Sequence, residues 1–176
     1  MPSSRFLISS QTLGSATASV TFSSIPSGYK DLALKISARG SGNSVNIYHL
    51  VTYNGSATGY SDTLLYKDGP NTTPQSQRGT GGAWYSYAGI GLPLPASQST
   101  ANTFDSTEIY IPSYTARQYK PALVFGVQET NSTTQYMAVD ASLWSNNSAI
   151  TSITITCGDQ NYVVGSSFYL YGLKNS

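Results

Sequence analysis

Charge is the scarcest property of this sequence. Eight acidic and nine basic residues among 176 leave 10% of the chain charged and a formal net charge of +1, well under the usual quarter. The basic residues are dispersed, so no stripe exists that would track a nucleic-acid backbone. So little net charge also supplies little repulsion against association. Cys157 is the single cysteine, which excludes an intramolecular disulfide and any multi-cysteine metal site. His49 is the single histidine, so a multi-histidine metal centre is excluded as well. No apolar run reaches the length of a membrane helix, and "MPSSRFLISS" has no basic stretch leading into a signal-peptide core. No window carries a helical i, i+3, i+4, i+7 apolar pattern.

What remains is rich in Ser, Thr, Asn and Gly, with 14 tyrosines. Its apolar residues recur with period two, the signature of strands. The clearest are Arg5–Ser9, Ala18–Phe22, Asp31–Arg39, Asn46–Tyr53, Glu108–Ile111, Ala122–Glu129, Gln135–Trp144, Ser152–Cys157 and Ser167–Leu173. Separators such as "SSIPSGYK", "YNGSATG" and "WSNNSA" are dense in turn residues. About nine strands at this spacing predict an all-β chain, one antiparallel β-sandwich domain of jelly-roll-like form over residues 1–176. A long, proline-rich and weakly periodic stretch around 60–102 reads as a loop insertion. Alternation places Phe22, Leu32, Leu34, Ile36, Ile109, Ile111, Ile153, Ile155, Phe168 and Leu170 in the core.

Catalytic material is thin. His49 sits in "VNIYHLVTY", a strand context without a G-x-S-x-G elbow anywhere in the chain. The carboxylates are scattered singly among turns and strand ends, and a facing pair of the kind a glycosidase needs is not readable from their spacing. We therefore expect no enzyme activity, no catalytic residues, no cofactor and no metal. Aromatic residues are better placed for contact. "GGAWYSYAG" holds Trp84, Tyr85 and Tyr87 between glycines, and "SSFYLYGLKNS" puts Tyr169 and Tyr171 on the strand face opposite Phe168 and Leu170. Rigid aromatics of this kind suit an interface or sugar stacking, and these five are the expected partner contacts.

Three stretches carry a likeness: "VTFSSIPSGYKDLALKISARG", "FDSTEIYIPSYTARQYKPALVFG" and "SLWSNNSAITSITITCGDQNYVVGSSFYLYGLK". Together, and in their order, they resemble a family of tailed-bacteriophage virion proteins, β-sandwich modules found as tail-fibre parts and as small capsid-associated proteins. The resemblance spans about Phe6 to Lys174 and implies no catalytic residues. Met1 runs almost directly into the first strand, without the attachment segment that usually precedes a fibre module. The expectation is therefore a capsid decoration, or cement, protein that bridges capsomers. It would be made in the host cytoplasm and carried on the virion surface, as a homo-oligomer, a trimer by the family and lattice argument, bound to the major capsid protein. Neither nucleic acid nor membrane is an expected partner. The alternative is a tail-fibre or receptor-binding module whose aromatics meet host glycan.

Overall fold

A computed structural model describes residues 4–69, 73–80, 90–131 and 135–174. Among these residues the chain forms twelve strands: β1 (Ser4–Thr12), β2 (Ser19–Phe22), β3 (Asp31–Ser37), β4 (Asn46–Tyr53), β5 (Tyr60–Asp68), β6 (Gln75–Thr80), β7 (Ile90–Pro95), β8 (Ser106–Ile111), β9 (Lys120–Gln128), β10 (Tyr136–Trp144), β11 (Ile153–Cys157) and β12 (Ser167–Lys174). They assemble into two antiparallel sheets. Eight strands run in the order β1-β12-β3-β8-β9-β10-β5-β6, and four in the order β2-β11-β4-β7.

Period-two alternation explains why the sheets meet. In β3, Leu32, Leu34 and Ile36 point inward, and register pairs them with Gly172, Leu170 and Phe168 of β12 on one side and with Ile111, Ile109 and Thr107 of β8 on the other. Opposite them lie Val20 and Phe22 of β2, Val51 and Tyr53 of β4, Leu92 and Leu94 of β7, and Ile153 and Ile155 of β11, all in one continuous buried cluster. Every residue expected in the core is buried. At roughly 1.5–3 kcal/mol for each fully buried large apolar side chain, this cluster is the main stabilising term.

The stretch around 60–102 is not a loop insertion, because it contains β5, β6 and β7. Two features hid them. β7 reads "IGLPLP", and proline is tolerated in a sheet only where its missing N–H is not needed. Among the described residues β7 is the edge of the smaller sheet, with β4 as its only partner, so Pro93 and Pro95 cost no ladder bond on the open side. β6 reads "QSQRGT", an edge strand without an apolar face. Together β9, β10, β5 and β6 extend the larger sheet as two hairpins beyond β8.

Close approach fixes two glycines. A Cβ on Gly172 would lie 2.2 Å from the ring of Tyr29, which caps the inner face of β12 where the smaller sheet no longer reaches. Phe6 packs 6.1 Å from that ring, and the Lys174 ammonium lies 5.5 Å above it. A Cβ on Gly126 would lie 2.7 Å from Leu92, so glycine lets β7 settle onto β9.

Candidate functional site

The outer face of the larger sheet carries the most exposed apolar surface among the described residues. Register builds it in cross-strand rows. Leu65, Val139, Phe125 and Glu108 form one row across β5, β10, β9 and β8, and Thr63, Ala141, Leu123 and Tyr110 form the next. Met137 and Val127 begin a third. Leu65, Leu123, Phe125, Met137, Val139 and Tyr110 are 37–55% exposed. Six half-exposed side chains of this size present roughly 500 Å² of apolar area, at the upper end of what a free monomer shows.

The same rows continue to β12. Tyr169 pairs with Lys35, which pairs with Glu108, and Tyr171 pairs with Ala33, which pairs with Tyr110. Both tyrosines are half-buried by their neighbours within the sheet and keep one side toward solvent. They line a groove of ≈ 300 Å³ with Lys35, Ser37, Ser106 and Glu108. Glu108 takes Arg5 at 2.9 Å and Lys35 at 3.2 Å, so the charges between the tyrosines and the apolar patch are paired with one another and leave a single net positive charge. The expected contacts Tyr169 and Tyr171 thus share a face with the patch. The other three, Trp84, Tyr85 and Tyr87, lie outside the described residues. Sequence reasoning missed Leu65, Leu123, Phe125, Met137 and Val139. The signal was present as alternation in "KPALVFGVQ" and "YMAVDASLW", but which parity faces water depends on which face the smaller sheet covers.

His49 has another task. It is 1% exposed, and both ring nitrogens are engaged: Nε2 with Asp105 Oδ2 at 2.9 Å and Nδ1 with the Tyr162 hydroxyl at 2.9 Å. Asp105 also accepts from Thr107 Oγ1 and from the Ala38 N–H, each at 2.6 Å. Those bonds make Nε2 the donor to the carboxylate and Nδ1 the acceptor from tyrosine. Burial, with the nearby Cys157 and Asp105 adding to it, pushes the Tyr162 hydroxyl well above its ordinary value, which keeps it a donor. The chain Tyr162–His49–Asp105 ties the smaller sheet to the larger one with no nitrogen left for a substrate. Arg39 does similar work at the adjoining loop. Its guanidinium donates to the carbonyls of Ser99 at 2.9 Å, Thr100 at 2.8 Å and Thr103 at 3.1 Å.

One carboxylate pair does come together. Asp62 on β5 pairs in register with Ser142 of β10, and Asp140 pairs with Leu64, so the two aspartates are diagonal neighbours on the inner face. Both are buried, and of the two only Asp62 borders the pocket of ≈ 220 Å³ lined by Ser61, Thr63, Pro121 and Ser142, so the pair does not face a common cleft of the kind a glycosidase uses. In comparisons with known proteins, no family model, no curated protein and no solved structure matches the chain.

Proposed function

We propose that this protein is a non-enzymatic virion component, a capsid decoration protein that docks through the outer face of its larger sheet. The observation that carries the reading is the charge-poor apolar face running from Leu65 through Val139 and Phe125, continued by Tyr171 and Tyr169. A face of that area approaches the ~800 Å² per partner that a stable protein contact buries.

The winding of the chain favours the same reading. With β9, β10, β5 and β6 set aside, the sheets read β1-β12-β3-β8 and β2-β11-β4-β7. First strand then pairs with last, and second with second-last, and the chain crosses repeatedly between sheets. A jelly-roll sandwich is wound in this way, and viral capsid proteins use that architecture often. This part is fold-level analogy. The stretches that resemble phage virion modules fall on β2–β3, β8–β9 and β11–β12, largely on that frame. In the decoration reading, subunits bridge capsomers, and burial of apolar area holds them there. A self-associated trimer presenting several such faces would add avidity. The fibre-tip reading would instead depend on Trp84, Tyr85 and Tyr87.

The test is retention on capsids lacking the protein. Val139→Lys combined with Leu123→Lys places two charges in the face without touching the core. We expect unchanged circular dichroism and melting, with capsid retention reduced at least tenfold. Wild-type retention by that variant overturns the docking face. Binding to host cells or glycans but not to capsids overturns the decoration role.

A further inference from the structure

We propose that Asp140, carrying a proton beside Asp62, forms an acid-closed latch that holds the β5–β6 hairpin onto the larger sheet. Both Asp62 oxygens and Asp140 Oδ1 are buried and have no hydrogen-bond partner. Asp140 Oδ2 alone is served, by the Ser142 hydroxyl at 2.5 Å. Diagonal positions on one face of neighbouring strands lie roughly 7 Å apart, so two ionised carboxyls would repel one another in a dry interior. Buried charge of one sign without a counter-charge is relieved by protonation.

No cation answers the pair among the described side chains. From β9, Lys120 registers with Trp144, at the end of β10, and gives its ammonium to the carbonyls of Ala116 and Gln118; Gln128 is neutral. From β4, Tyr53 faces Asp140 with its hydroxyl pushed far up by burial, and His49 is committed to Asp105 and Tyr162. On β5 itself, Tyr60 is pushed up to about 12 by burial, and Asp68 lies at the far end, opposite Tyr136. β7 contributes Leu92 and Leu94. On β6, Gly79 sits opposite Asp62, while Arg78 registers with Thr63, whose side chain is on the other face. Burial pushes Asp140 up to about 7, Ser142 opposing and the Asp62 charge adding, and burial raises Asp62 as well.

The topology decides what yields when the proton leaves. β10 is held between β9 and β5, whereas among the described residues β5 has only the edge strand β6 beyond it. The β5–β6 hairpin can therefore swing away as a unit and carry Asp62 to water, while the shared core stays closed. Acid holds the latch shut. Alkali opens it.

The sign follows from linkage. An unfolded aspartate ionises near pH 3.9, folded Asp140 at about 7. Stability from the bound proton is full below about pH 4 and is lost as pH rises to about 7, by up to tenfold in the folding constant per pH unit. Asp140→Asn keeps the shape without the titration. The ratio of its folding constant to that of wild type should climb about tenfold per pH unit between roughly pH 5 and 7, then level off. Hydrogen exchange, corrected for its intrinsic pH dependence, should show β5 and β6 losing protection above pH 7 while β3 and β12 keep theirs. Infrared spectroscopy of wild type at pH 6 should show a protonated carboxyl that disappears by pH 9, a readout that stands even if the variant fails to fold. A constant ratio across pH, uniform loss of protection, or no protonated carboxyl overturns the proposal. So does stabilisation at pH 8 by calcium or magnesium that Asp62→Asn abolishes, which would make the pair a metal site.

Discussion

Asp105→Ala should be among the most damaging substitutions in the chain. The carboxylate is 1% exposed and accepts three hydrogen bonds, from the Ala38 N–H, the Thr107 hydroxyl and His49 Nε2. Truncation strands all three donors in a site that water does not reach. Each stranded donor costs about 1–3 kcal/mol. The Thr107 hydroxyl can rotate and the imidazole can change tautomer, which offsets part of that sum, so we expect about 3–5 kcal/mol. A domain of this size is stable by roughly 5–15 kcal/mol, and the loss converts to a fall in Tm of about 10–15 °C. Urea denaturation at pH 7 followed by tryptophan fluorescence measures it directly. Asp105→Asn keeps one carbonyl oxygen and should fall between wild type and Ala. A loss under about 1 kcal/mol for Ala would refute the idea that this network joins the sheets.

Gly172→Ala should destabilise by about 1–3 kcal/mol because the new methyl overlaps the Tyr29 ring; thermal melting checks it, and adding Tyr29→Ala should remove most of the additional loss. Arg39→Lys should cost about 1–3 kcal/mol by denaturant melts, since a single ammonium does not reproduce the guanidinium fork that serves Ser99, Thr100 and Thr103. Cys157 is fully buried and its thiol is pushed up to about 12 by burial, with Asp105 and Asp159 adding. It should therefore resist an aromatic disulfide reagent at pH 8 until urea unfolds the chain; rapid labelling of native protein would contradict its burial.

The sequence revealed the shared core because one alternation settles it. In "DLALKIS", Leu32, Leu34 and Ile36 leave Lys35 and Ser37 for the other face, and only one parity can be dry. The network around His49 was not legible, since its members come from β4, the turn before β8, β8 itself and the loop before β12, and nothing local marks Asp105 as the partner of His49. The opposed faces of "SSFYLYGLKNS" were legible, but what they meet was not. Phe168 and Leu170 enter the core, and Tyr169 and Tyr171 lie among Lys35 and Glu108 on an open face.

The hairpins that extend the larger sheet explain both the misreading and the functional proposals. In the strands of the shared core, apolar side chains face inward and polar ones outward. β5 and β10 reverse much of that rule: Asp62, Asp140 and Ser142 face inward, while Leu65, Met137 and Val139 face out. A reader who assumes that the apolar parity is the buried one assigns these strands the wrong face or, as for β5, does not see a strand. A free monomer gains nothing from such an inversion, because it dries carboxylates and wets leucine. The inversion becomes stabilising when the outer face is covered by another protein and the inner pair is protonated. Local rules broken on both faces of the same strands, beside a core that obeys them, are what the proposed docking face and the proposed acid latch would together account for.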